Sequence, residues 1–363
     1  MVLKDILTSA VADGASDFFV IAGLPVNIKI KGQFRPVNEE RLGTETAHEL
    51  VGQIYAMAGG RSMDNLHTEG DDDFSFALPG ISRFRVNAYK QRGSVAAIIR
   101  IVQFELPDPG AIGIPDIVME LAGRTRGLIL VSGTAGSGKS TTQACMIDHI
   151  NRTRQSHIIT LEDPLEYLHR HQKSIVSQRE ITVDTDSYAG ALRAALRQAP
   201  DVILLGEMRD HETISVAMTA AETGHLVVST LHTLGAVNTI DRIIDAFPPN
   251  QQQQIRIQLS MVLQAVVCQQ LLPTTDGSMV PAFEVLIANS AVRSLIRDAK
   301  SHQVDAVIQS SSNEGMISMD NSIVSLVKEG VVTDKTAMIH CINVETTARK
   351  LGINVQDIQQ MTR

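Results

Sequence analysis

Two rhythms of apolar and polar positions divide this chain. In residues 17–37, DFFVIAGLPVNIKIKGQFRPV, the two classes alternate around Gly23-Leu24-Pro25 and Lys31-Gly32, as in half-buried strands joined by tight turns. The alternation returns in residues 73–102, DFSFALPGISRFRVNAYKQRGSVAAIIRIV. Between them the spacing predicts a helix from about Thr46 to Ala58, and the N-terminal MVLKDILTSAVADGAS has the period of an amphipathic helix. The first hundred residues therefore predict an α+β domain with an antiparallel sheet. Proline and glycine then concentrate in LPDPGAIGIP, so the pattern predicts a first domain over 1–105, a linker over 106–116 and a second domain over 117–363.

From residue 127 the strands become short and wholly apolar: GLILVSG, HIITLEDP, DVILLGEMRD and HLVVSTLHT, with helical stretches such as DSYAGALRAALRQAP between them. Unbroken apolar runs fit strands covered on both faces, which predicts an α/β fold with a parallel sheet. From residue 250 onward the pattern predicts helices, in NQQQQIRIQLSMVLQAVVCQQLLP (250–273), SAVRSLIRDAK (290–300) and MISMDNSIVSLVKEG (316–330).

Composition narrows the function classes. A chain of 363 residues is long for one core, and 44% hydrophobic with 20% charged residues is globular in character. The net charge of -8 and only 4% aromatic residues disfavour a nucleic-acid partner. Cys145, Cys268 and Cys341 are dispersed and odd in number, which argues against a disulfide framework and a tetracysteine zinc site. Asp5 and Asp13 interrupt the N-terminal helix, so it does not read as a secretory segment, and no stretch approaches the roughly 20 apolar residues of a membrane span. The expectation is a cytoplasmic protein, with no direct membrane insertion.

Gly133-Thr134-Ala135-Gly136-Ser137-Gly138-Lys139-Ser140 follows an apolar strand and opens a helix, the context in which GxxxxGK[S/T] cradles phosphates. Lys139 is the candidate for the β- and γ-phosphates and Ser140 for Mg²⁺, with Thr141 continuing the loop into the helix. Hydrolysis needs carboxylates as well, and two acidic strand ends supply them: Glu162-Asp163 after HIIT and Glu207 after DVILLG, with Glu207 the candidate base. His225 and His232 flank the next strand; their spacing is poor for a metal and suits structural, γ-phosphate-sensing or strain-relaying roles. Arg83, Arg85, Arg100, Arg193 and Arg197 are candidates for stabilising a transferred phosphoryl group.

The phosphate loop, LEDPLEY, DVILLGEMRD and TGHLVVSTLHT, in this order, resemble the Walker A, Asp box, Walker B and His box of the secretion ATPase superfamily that drives type II secretion and type IV pili. ALRAALRQAPDVILLGEMRDHETISVAMTAAETGHLV is similar to the PilT-type pilus retraction ATPases, and Ala291, Val292, Arg293, Leu295, Ile296 and Arg297 resemble that family's retraction segment. The resemblance implies a PAS-like N-terminal domain, a RecA-like ATPase domain and a homohexameric ring using ATP and Mg²⁺. It further implies Glu207 as catalytic carboxylate, Glu162 as its companion, His225 and His232 as His-box residues, and Arg85 and Arg100 as the favoured arginines. An inner-membrane pilus platform protein and a PilU-like ATPase are the implied partners, at the membrane base of the pilus. An accessory PilU-like motor, a type II or type IV secretion ATPase, a nucleic-acid translocase and a non-hydrolysing switch are the alternative readings. Ser16-Asp17-Phe18-Phe19 departs from the usual SDLH, and GTAGSGKST from the usual GPTGSGKST, without loss of a phosphate-contacting element.

Overall fold

The alternating strands and the unbroken apolar strands build two separate sheets. The structure is a computed structural model; it describes residues 3–30, 32–102 and 105–353, so Lys31 of the expected turn and the end of the expected second domain lie outside the described residues. Two units emerge, one of Met1–Glu105 with Pro164–Leu168 and one of Leu106–Asp163 with His169–Arg363. Residues 106–116, expected as a linker, group with the second unit, where Ile114 is buried and Cys145 Sγ lies 3.7 Å from Pro107 O.

The first unit contains α1 (Leu3–Ala12), β1 (Asp17–Val20), β2 (Asn27–Ile30), β3 (Gln33–Pro36), α2 (Thr44–Met57), α3 (Asp64–Thr68), β4 (Asp71–Leu78), β5 (Ser82–Gln91) and β6 (Ser94–Val102). Its strands run β3-β2-β1-β6-β5-β4, every pair antiparallel. Alternate residues Phe74, Phe76, Phe84, Val86 and Ile99 enter a core with Leu7, Leu50 and Ile54 of the helices, as the period of two requires. Phe18 joins this core, while Phe19 packs edge-on against Phe34, with ring centroids 5.1 Å apart.

One carboxylate shares that inner face. Asp72 accepts hydrogen bonds from Tyr55 Oη (2.9 Å) and from Arg61 Nε and Nη2 (3.0 and 2.8 Å), so the buried charge is fully engaged.

The second unit contains α4 (Asp116–Ala122), β7 (Gly127–Ser132), α5 (Lys139–Thr153), β8 (His157–Glu162), β9 (Ile175–Glu180), α6 (Tyr188–Ala195), β10 (Val202–Leu205), α7 (His211–Glu222) and β11 (Leu226–Leu231). There follow α8 (Ala236–Asp245), α9 (Pro249–Val262), β12 (Leu263–Pro273), β13 (Met279–Ile287), α10 (Ser290–Arg297), α11 (Val304–Ser310), α12 (Met319–Lys328), α13 (Asp334–His340) and α14 (Val344–Leu351). The seven strands run β13-β12-β7-β11-β10-β8-β9, with helices packed on both faces.

Two expectations need correction. The sheet is mixed, since β13 pairs antiparallel to β12. The stretch 250–273 is not one helix: α9 ends at Val262 and Leu263–Pro273 extends into β12, because its run of buried apolar residues lies beside β7 in the middle of the core. Among the described residues no helix is long and apolar enough to cross a membrane.

The Asp72 cluster yields a pH-dependent prediction. Burial works against its charge, but the hydrogen bonds from Arg61 and Tyr55 outweigh it and hold the carboxyl below its ordinary range. A depressed native pKa stabilises fully at neutral pH, and that contribution is lost as the pH falls from the ordinary value of about 3.9 through the native one. Asp72→Asn is therefore expected to lose about 2 kcal/mol of urea stability at neutral pH, with the gap to wild type closing on acidification. A gap that stays constant with pH would contradict this account.

Candidate active site

Parallel register aligns the carboxyl ends of four strands. β7 pairs with β11 from Gly127↔Leu226 to Ser132↔Leu231, β11 with β10 up to Ser229↔Leu205, and β10 with β8 up to Leu205↔Leu161. Gly133, His232, Glu207 and Glu162-Asp163 thus leave the sheet along one edge, where open α/β sheets hold ligands.

The loop between β7 and α5 is shaped by glycines in the left-handed region, where other residues are strained. Gly133 and Gly138 have φ of 146° and 89°. A Cβ on Gly133 would stand 2.2 Å from the carbonyl oxygen of Gln269, and one on Gly138 would stand 2.8 Å from the Gln269 amide nitrogen. Thr134, Ala135 and Gly136 arch into solvent, whereas Ser137 is buried with its hydroxyl lacking a hydrogen-bond partner. Lys139 is buried, its ammonium donating to Gly133 O (3.0 Å) and Thr134 O (2.7 Å). Ser140 and Thr141 are half-buried in the first turn of α5.

That first turn carries no side-chain cap, whereas Ser187, Asp210 and Asn289 cap α6, α7 and α10. A 15-residue helix that opens on Gly138, which has no side chain to cap it, turns its amino end and dipole toward the loop, a setting that favours an anion. The glycine arch, the buried ammonium and the uncapped helix fit a nucleotide's phosphates, and the Ser140 hydroxyl beside them fits Mg²⁺.

At the end of β10, Glu207 is nearly buried and engaged on both oxygens. Arg209 Nη2 lies 2.6 Å from Oε1 and His232 Nε2 lies 3.2 Å from Oε2. A carboxylate oxygen only accepts, so the second contact requires the proton on Nε2. Hydrogen bonding to Glu207 pushes the Arg209 pKa up. The segment is tied to β11 through Thr230, whose hydroxyl donates to Gly206 O (2.6 Å) and whose carbonyl accepts from Met208 N (3.2 Å).

Glu162 and Asp163 gather at the same edge. Burial first, and then the negative charges of Glu207, Asp163 and Glu162, push the Tyr188 hydroxyl's pKa up. Tyr188 sits against Gly206, where a Cβ would come within 2.8 Å of its oxygen. Neither Tyr188 nor Gln269 carries a sequence signal of its own: the first is one aromatic at a helix start, and the second lies in the stretch expected as helix.

Other candidates lie elsewhere. His225 precedes β11, at the amino end of the sheet and away from this edge, with Nδ1 2.9 Å from Ala220 O. Arg193 pairs with Glu212 at 2.5 Å, and Arg197 donates to Arg193 O at 3.1 Å. In the first unit Arg83 donates to Ser75 Oγ at 2.9 Å. Arg85 and Arg100 stand directly opposite on β5 and β6, an unfavourable like-charge pair, and line a 270 Å³ cavity with Ser16 and Pro164–Tyr167. Asp17 relieves Arg100, 3.1 Å from its Nε.

The retraction-like segment forms α10, after the edge strand β13. Val292 and Ile296 are buried, and Arg293 donates to Ser260 O (2.6 Å) and Met261 O (2.9 Å), satisfying the end of α9. Ala291 and Leu295 line a groove against α11, and Arg297 lies 3.7 Å from Asp298.

Residues 1–304 match the family model of type II/IV secretion system proteins. The chain is 41% identical over 337 residues to the type IV pilus retraction ATPase PilT of Pseudomonas aeruginosa, covering 93% of this chain and 97% of that protein. It is 42% identical over 346 residues to a twitching motility protein of Neisseria gonorrhoeae, covering 95% and 91%. A crystal structure of the pilus retraction motor PilT with bound ADP superposes with a TM-score of 0.87 at 46% identity, covering 96% of this chain and 99% of that one. A family model matched over 304 residues, and relatives aligned along nearly the whole length, make this chain a member of the type II/IV secretion system protein family, within its PilT group.

Proposed function

We propose that this chain is an ATP-hydrolysing motor that powers type IV pilus retraction. The observation that carries the reading is the near full-length similarity to PilT, coupled to a sheet edge on which a phosphate loop and the paired Glu207 and His232 emerge together. In this reading the loop amides and Lys139 bind the phosphates of ATP, with the ammonium moving from the loop carbonyls to the ligand. Ser140 holds Mg²⁺, which when bound neutralises charge on the β- and γ-phosphates. Glu207 accepts the proton of the attacking water; His232 orients its carboxylate through Oε2, and Arg209 balances its charge. Glu162 assists from the neighbouring strand end. Arg85 and Arg100 remain the candidates for stabilising the transferred phosphoryl group, a use that accounts for two opposed arginines on adjacent strands.

The assembly proposed is a homohexameric ring at the cytoplasmic face of the pilus base, with an inner-membrane platform protein and a PilU-like ATPase as partners. The strand order of the first unit supports a PAS-like domain, and the order of the second, with its phosphate loop and acidic strand ends, supports a RecA-like one.

Two experiments test this. In a phosphate-release assay Glu207→Gln is expected to lower kcat by about 100-fold or more with KM for MgATP little changed, and His232→Ala to lower it by roughly tenfold. Turnover by Glu207→Gln at the wild-type rate would remove the catalytic assignment. In the source bacterium, deleting the gene is expected to abolish twitching and leave cells with more surface pili; unimpaired twitching would remove the retraction assignment while sparing the ATPase.

A further inference from the structure

We propose that Gln269 is a positioning residue for the phosphate loop, clamping both of its ends so that the loop amides keep their aim on the nucleotide's phosphates. The inference rests on the nucleotide-binding reading above and adds a residue on a strand outside every motif of the family resemblance.

The clamp follows from strand register. β12 runs parallel to β7, and their last pair is Cys268↔Ser132, so Gln269 falls beside Gly133 as the chain leaves the sheet. Its carbonyl oxygen occupies the space of a Gly133 side chain, at 2.2 Å from where the Cβ would be. Its side chain reaches the other end of the loop. Oε1 accepts from the hydroxyl of Thr142, at 2.7 Å, and Nε2 stands 2.8 Å from where a Gly138 Cβ would be.

Gln269 and Thr142 are both buried, and Thr142 N donates to Gly138 O at 3.0 Å, so the hydroxyl ties the amide to the turn that begins α5. Residues 134–136 are exposed between these two fixed ends. An exposed arch keeps its shape only when its ends are held, and one residue holds both. Among the described residues its side-chain hydrogen bond goes to Thr142, whereas Glu207 is held by Arg209 and His232, so the effect is expected on phosphate binding and not on proton transfer.

That division gives the test. The loop holds the α- and β-phosphates alike in ground and transition states, so loosening it raises KM and leaves kcat in place. Gln269→Met keeps the volume and deletes the hydrogen bond. It is expected to raise both the Kd for fluorescent ADP and the KM for MgATP about tenfold, with kcat within about twofold of wild type, since breaking a buried hydrogen bond strands its partner. Thr142→Val should do the same, Thr142→Ser should restore binding by keeping the hydroxyl, and the double variant Gln269→Met/Thr142→Val should be no weaker than either single one. A merely structural role would instead lower kcat through loss of active protein, with KM unchanged.

Wild-type Kd in Gln269→Met, or additive losses in the double variant, would overturn the proposal while leaving the ATPase reading intact; a wild-type protein that binds no ADP would overturn the ATPase reading first. If Gln269→Met fails to fold, Thr142→Val against Thr142→Ser decides the matter alone: equal affinity in the two refutes the clamp.

Discussion

The parallel pairing of β7, β11 and β10 is the constraint on which the site depends. Adjacent strands in a sheet lie about 4.8 Å apart, so one intervening strand separates the phosphate loop from Glu207 by roughly 10 Å. The intervening strand is β11, whose next residue is His232. The ring that hydrogen-bonds Glu207 therefore comes from between the two functional groups. A one-residue slip in either pairing would turn these side chains to the opposite faces and dissolve the arrangement. Because β7, β10 and β11 are buried on both faces, such a slip would also put side chains of the wrong size and shape into close-packed positions.

This part of the molecule was legible because its signals are local. An apolar run followed by GxxxxGK, or by an acidic residue, declares a strand and what stands at its end, and the alternation in 17–37 and 73–102 likewise declares its sheet. β12 was not legible. LQAVVCQQLLP follows α9 with no glycine or proline between, and a short apolar run has no period that separates a buried strand from a buried helix. Its extended form is set by β7 on one side and β13 on the other, contacts remote in sequence. The misreading concealed Gln269, which acts as a clamp only when strand geometry sets it beside Gly133. Tyr188 was hidden for the same reason, since its three carboxylate neighbours come from two other strand ends. His225 shows the converse, because a motif pairs it with His232 while a six-residue strand carries the two to opposite ends of the sheet.

Beneath the loop, polar side chains join the root of β7 to the chain after His232. Thr239 donates to Ser132 Oγ (3.1 Å), and Ser132 donates to Cys268 Sγ (3.0 Å), while Thr233 Oγ1 lies 2.8 Å from Thr239 Oγ1. Glu284 lies across from Cys268 on β13, and its Oε1 accepts from Ala236 N (2.7 Å) at the start of α8. Burial raises the Glu284 pKa and pushes up the Cys268 thiol's, which favours the neutral thiol that Ser132 meets. These bonds connect the segment after His232 to Ser132, one residue before Gly133. Polar groups buried this deeply persist where their hydrogen bonds fix a geometry that apolar packing would leave loose.

On the proposed function, the electrostatics of the edge suit hydrolysis better than binding alone. The side formed by α5 is positive, from an uncapped helix start and a buried ammonium; the side formed by β10 and β8 is negative, from Glu207, Glu162 and Asp163. An anion-binding protein needs only the first. Crowding three carboxylates opposes the binding of a polyphosphate by like-charge repulsion, and Arg209 and His232 lie against Glu207. Such an arrangement is worth its cost when the carboxylates act on something other than the phosphates themselves. Water poised for attack and a divalent cation are the two occupants that an acidic wall about 10 Å from a phosphate cradle would hold, and both belong to phosphoryl transfer.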